Sequence, residues 1–262
     1  MLENEKTDEG SKMQEKFKEL EELKIKLEQI KPFTEEELSV IKKDDKIQEL
    51  KYVFSANKVD GCPFTITQSI TAVSLKKKIF GVPLTHNFIS YGIQAGLEYI
   101  YELLEAGEVG ELTEQVMKDI HTQIIIDKPL QMGYYRKEIL DFPRTYKCKA
   151  PMPEFIQERM TALLANYLAD ESPFIEKLAR FHMDFRAINP FDTSSNAVNL
   201  IILNYELMKQ GYLPINICFE EDEEIYENAF IEHNVTRNVE PMVNLICRHE
   251  KIELERYLSV RK

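Results

Sequence analysis

Residues 182 to 212 read HMDFRAINPFDTSSNAVNLIILNYELMKQGY, two helical patterns joined by a short polar loop. Phe174, Leu178, Phe181, Phe185 and Ile188 recur every three or four residues, which puts them on one face of a helix. That helix must stop at Asn189, because Pro190 pushes the residue before it out of the α region. Beyond the loop, Val198, Ile201, Ile202, Tyr205 and Met208 restore the helical period as far as Gly211. Thr193, Ser194, Ser195 and Asn196 are all suitable N-caps for this second helix. Its first N–H groups face the loop, so a weak anion site is predicted around Ser194, Ser195 and Asn196.

The stretch resembles the Fic (Fido) family, whose motif is H-P-F-x-D/E-G-N-G-R-x-x-R followed by apolar residues, an Asn, a Leu and Gly-Tyr at fixed spacing. Pro190, Phe191, Asn204, Leu207, Gly211 and Tyr212 match without a gap, and Asn189 falls on the family's catalytic His. Thr193 replaces the metal-binding acid. Ser194, Ser195 and Asn196 replace the glycine-rich anion cradle, and Ala197 and Leu200 replace its two arginines. The resemblance extends to Ile120-His121, to Gly133-Tyr134-Tyr135-Arg136, and to Pro151-Met152-Pro153 ahead of a helix with Met160, Leu163 and Leu164. Further upstream, Ala56, Asp60 and Gly61 stand where the class with an N-terminal inhibitory helix carries S/T-x-x-x-E-G/N. The implied fold is mainly all-α, a Fic/Fido-type bundle with a small β-hairpin flap for target docking over residues 137–150. Residues 1–30 would form a polar tail and an amphipathic helix, and 31–262 the Fic-like domain.

What the resemblance implies about chemistry is mostly loss. In a competent Fic protein the His takes a proton from a target hydroxyl, the acid holds magnesium on the nucleotide, and arginines with backbone N–H groups bind the phosphates. An Asn at 189 has no titratable nitrogen, and loss of a general base alone costs about 10²- to 10⁴-fold. Without the metal ligand and both arginines, the electrostatic stabilisation that phosphoryl-type transfer needs is also gone. The expected function is a Fic-like pseudoenzyme, a binding or regulatory protein descended from AMP-transferases. No cofactor and no metal are expected. The alternative is a divergent Fido-fold transferase with a non-standard site, for which ATP and magnesium would be cofactors.

Other candidates carry structural readings beside functional ones. His182 could be a relocated base, yet a packed helix histidine is the simpler reading, as for His121, His233 and His249; His86 reads as a solvated turn residue. Asp192 could accept a proton or bind a metal, against the reading of a solvated turn carboxylate. Arg136 is expected to support the site from the neighbouring segment. Asp60 reads as a relic, because neither 197 nor 200 offers an Arg for it to pair with.

Composition sets the outer bounds. With 45 acidic and 33 basic residues the net charge is −12, which repels phosphate backbones and anionic membranes, so neither nucleic acid nor membrane is an expected partner. Lys76-Lys77-Lys78 reads as a solvated helix face. Cys62, Cys148, Cys218 and Cys247 are far apart with no C-x-x-C pair, as in reduced cytosolic proteins. The acidic N-terminus is unlike a signal peptide, so a cytoplasmic protein is expected, with export by a specialised secretion system left open. Met13, Phe17, Leu20, Leu23, Leu27 and Ile30 form a helical stripe that must pack on its own domain or on a second copy in a homodimer. Thr34 with Glu37 makes a capping box, and Thr113 caps another helix.

Overall fold

The computed structural model describes residues 2–107, 110–217 and 220–261, with side chains from residue 12 onward. Cys218 lies outside the described residues. Among the described residues, most lie in ten α-helices: α1 (Leu2–Gln29), α2 (Glu35–Lys58), α3 (Ile66–Leu75), α4 (Thr85–Glu105), α5 (Glu114–Ile124), α6 (Ile156–Ala169), α7 (Phe174–Ile188), α8 (Ser195–Lys209), α9 (Glu223–Thr236) and α10 (Glu240–Ser259).

The helix α8 is the axle of the fold. Every residue from Ala197 to Leu207 is buried, and α2, α4, α5 and α7 surround it. A helix that is apolar on nearly all sides can only be a core helix. Each of its Ile, Leu and Val side chains contributes about 1.5–3 kcal/mol by leaving water. Its two buried Asn residues are bonded to backbone outside the helix: Asn199 Nδ2 donates to the His182 carbonyl at 2.8 Å, and Asn204 pairs with both the N–H and the carbonyl of Ile215.

Local chemistry sets the helix ends as expected. Thr34 and Glu37 form a complete capping box, and the Thr113 hydroxyl accepts from the Val116 N–H. A second capping box, Thr65 with Gln68, starts α3. Gly92 permits the close crossing of α4 on α5, since a Cβ there would lie 1.9 Å from the Ile124 carbonyl oxygen. The stripe on α1 packs against α10, with Leu20 and Leu27 buried, so it serves its own chain. Lys76, Lys77 and Lys78 are exposed but lie past the end of α3, where Lys76 takes a left-handed conformation.

The segment 137–150 contains no strand. It is an extended run interrupted by a 3-10 turn at Arg144–Tyr146, entered through Pro143 and left through Lys147 in the left-handed region. Pro143 cannot donate to a ladder, and the Tyr146 carbonyl accepts from Asn234 Nδ2 on α9 at 3.0 Å. The ring of Tyr146 meets Phe230 edge-on at 5.2 Å between centroids. Docking on α9 takes the place of the expected hairpin. No described helix is long and apolar enough to cross a membrane.

Candidate functional site

The loop between α7 and α8 is held open by one arginine. Asn189 ends α7 in the left-handed conformation, φ 45°, which Asn tolerates better than most residues. The buried Arg136 side chain donates from Nε to the Asn189 carbonyl at 2.9 Å, and from its terminal nitrogens to the carbonyls of Glu138 at 2.8 Å and Pro151 at 2.7 Å. Its own N–H donates to the Pro190 carbonyl at 2.9 Å. The Arg136 guanidinium is therefore spent on the backbone carbonyls of Asn189, Glu138 and Pro151 rather than on a ligand, and burial lowers its pKa against the opposing charge of Asp192.

Behind the loop, Phe191 stacks on His121 with centroids 4.0 Å apart. The Gly133 N–H donates to His121 Nδ1, so Nε2 carries the proton and donates to the Thr193 carbonyl at 3.2 Å. Burial lowers the His121 pKa to about 4, which keeps the ring neutral. His182 is wholly buried with Nε2 2.8 Å from the Tyr226 hydroxyl, and burial lowers its pKa to about 3. Neither ring lines the cleft beside the loop. His233 and His249 are bound to Asp184 and Asp222.

The start of α8 departs from expectation. Ser194 occupies the N-cap position with φ 62° and makes no capping bond, while the Ser195 hydroxyl accepts a long bond from the Phe191 N–H. The cap comes from Asp60 instead. One carboxylate oxygen accepts from the Asn196 N–H at 3.3 Å and its side-chain Nδ2 at 2.9 Å, and the other from the Ala197 N–H at 2.9 Å. The turn that delivers Asp60 follows α2, with Gly61 at φ 83° and Ala56 fully buried one turn earlier. Asn57 anchors that turn on α4 through Ser90 Oγ at 2.7 Å.

Desolvation raises the Asp60 pKa, opposed by these hydrogen bonds and by the charge of Arg186. Arg186, unremarked in the sequence, is buried against Glu227 and over the faces of Phe230 and Tyr226. The N–H groups read as a weak anion site thus hold an internal carboxyl group, and Asp60 is a structural cap even with Ala197 and Leu200 in place of arginines.

A cleft of about 550 Å³ opens beside the loop, lined in part by Asp60, His86, Lys128, Asn189, Asp192 and Thr193. His86 belongs to the first turn of α4 and forms one wall, rather than standing solvated in a turn. Its Nδ1 is buried without a partner, and burial lowers its pKa. Thr193 Oγ1 accepts from Lys128 Nζ at 2.9 Å. A neutral hydroxyl beside an ammonium group does not fit a divalent cation, so the donors at this position do not suit magnesium. Asp192 is exposed, its pKa raised by desolvation and by Glu138. Among the described residues no group of three or more His, Cys, Asp and Glu could hold a metal ion.

A helical bundle built on a buried α8, with a loop of this form at its N-terminus, is the architecture of Fic-fold proteins. Residues 111–207 match the Fic/DOC family. Protein adenylyltransferase Fic of Nematostella vectensis is 22% identical over 215 residues, covering 80% of this chain and 48% of that protein. Protein adenylyltransferase fic-1 of Caenorhabditis elegans is 20% identical over 216 residues, covering 80% and 41%. The chain thus spans less than half the length of these relatives. In structure it resembles Fic-1 from C. elegans, with a TM-score of 0.79, 18% identity and coverage of 96% of this chain and 73% of that one. A Fic-domain-containing signalling protein from Bacteroides thetaiotaomicron superposes with a TM-score of 0.78 at 19% identity, covering 92% and 97%.

Proposed function

We propose that this protein is a Fic-type pseudoenzyme, a binding or regulatory module that does not transfer AMP. The observation that carries the reading is the Asp60 carboxylate on the first N–H groups of α8. A phosphate brought to that helix end would find those donors already taken by an internal carboxyl group, with Asp192 and Glu138 also on the cleft. Arg136 is committed to backbone carbonyls, and Lys128 to Thr193. The surface beside the cleft supports protein docking, since Leu130 and Ile139 are 92% and 64% exposed and Tyr134 is 66% exposed. The partner would sit along residues 137–150.

Calorimetric titration with magnesium-ATP and magnesium-ADP tests the reading. The expected result is no binding in the micromolar range; a micromolar constant would contradict it. A second reading, a divergent transferase, is favoured by one feature, the unpartnered His86 Nδ1 in the cleft wall. It requires that some nucleotide bind and that His86→Gln abolish a measured transfer while leaving that binding intact.

A further inference from the structure

We infer that a second cleft, walled by α2, α10 and the extended residues 212–217, binds a neutral planar heteroaromatic amide through Tyr52 and Asn216. The cleft measures about 490 Å³, within the range of small-molecule sites, and shares no lining residue with the cleft at the α8 N-terminus. Leu97, Tyr101, Met208 and Ile215 give it apolar and aromatic walls.

Two polar atoms in it lack partners. The Tyr52 hydroxyl is buried with no hydrogen bond, on a residue only 5% exposed, and so is Asn216 Oδ1. Buried polar groups are rarely left unmade, because each costs the full penalty of desolvation. The hydroxyl has a proton to give, and burial raises its pKa well above the ordinary tyrosine value, so it stays a donor. The amide oxygen can only accept. A matching ligand presents one acceptor and one donor.

Charge selects against ions. The charged side chains on the cleft are three cations, Lys42, Lys46 and Arg256, and three carboxylates, Asp45, Glu49 and Glu253, a formal sum of zero. Arg256 bridges Asp45 and Glu253 at 2.7 and 2.6 Å, and Lys46 pairs with Glu49 at 2.7 Å. An ionic ligand would have to break these pairs. The wall is also preformed, since Asn204 holds Ile215 from both sides and Glu250 accepts from the Leu213 N–H at 2.8 Å. A flat, neutral molecule with an amide-like edge answers both the paired charges and the two open hydrogen bonds.

The test uses the full chain and three probes, nicotinamide, cytosine and uracil, by ligand-observed NMR and calorimetry. At least one should bind with a Kd below roughly 1 mM, as expected for a fragment of this size in a preformed site. Tyr52→Phe, which conserves shape, should weaken it about three- to tenfold, and Asn216→Leu by a similar factor. The inference is overturned if no probe binds, if both variants bind as tightly as the wild type, or if a crystal structure shows waters bridging Tyr52 and Asn216 that no probe displaces. Neither outcome depends on whether the chain transfers AMP.

Discussion

The Asp60 carboxylate caps α8 by accepting the Ala197 N–H at 2.9 Å, across 137 residues of sequence. It ties the end of α2 to the central helix, and with Asn196 it satisfies donors that the loop itself leaves open. Loss of an N-cap costs about 0.5–2 kcal/mol, and here the donors face the buried side of the carboxylate. Asp60→Ala should therefore destabilise the protein by about 1–2 kcal/mol in urea denaturation and confer no AMP transfer. A gain of transfer would reveal a working site behind the cap.

Glu250 sets part of the pH dependence of stability. Burial raises its pKa to about 8 from the ordinary 4.5, and one of its oxygens has no partner. A carboxyl whose folded pKa is raised holds its proton in the native state when the unfolded chain has lost it. Its stabilising contribution is complete below pH 4.5 and is lost as pH rises to about 8. Asp60 acts with the same sign, since its pKa is also raised. Thermal melts of the wild type and Glu250→Gln at several pH values isolate the contribution of this carboxyl: the wild type should lose more stability across this window than the variant. Parallel curves would show that Glu250 is ionised throughout.

Gly92 is fixed by space rather than by backbone conformation. A Cβ 1.9 Å from the Ile124 carbonyl cannot be accommodated unless α4 and α5 separate. Gly92→Ala should cost roughly 3 kcal/mol or more, the range of a serious overpacking defect. A melting temperature unchanged from wild type would mean that the crossing is looser than described.

Much of the fold was legible in the sequence, because it depends on local chemistry. The period of Phe174 to Ile188, the stop before Pro190 and the capping pair Thr34 and Glu37 are each set by a few neighbouring residues. The site was legible in outline only. Asn189 and Arg136 could be located, but the partner of the α8 N-terminus could not, since it lies at the end of another helix. Asp60 was misjudged because an arginine was sought for it, when backbone N–H groups and the nearby charge of Arg186 suffice. His86 was read as a turn residue, although α4 begins at Thr85 and takes it into its first turn. The hairpin over residues 137–150 was expected from the resemblance alone, and packing of Tyr146 on Phe230 decided their form.

Restoring the base alone should not restore chemistry. Histidine tolerates the left-handed conformation found at Asn189, so Asn189→His is expected to fold normally. The N-terminus of α8 would still have Ala197 and Leu200 in place of arginines and Asp60 on its first N–H groups. The purified variant should give no AMP transfer to itself or to lysate proteins, with circular dichroism melts confirming that it is folded.

Intact-mass spectrometry of the wild-type chain, incubated with magnesium-ATP and a cell lysate from about pH 5 to 9, tests the proposed absence of AMP transfer most directly. The expected result is an unmodified chain and no ATP-dependent AMP on any lysate protein. Covalent AMP on the chain or on a target, absent when ATP is omitted, would contradict the reading of this Fic fold as a binding module without transferase activity.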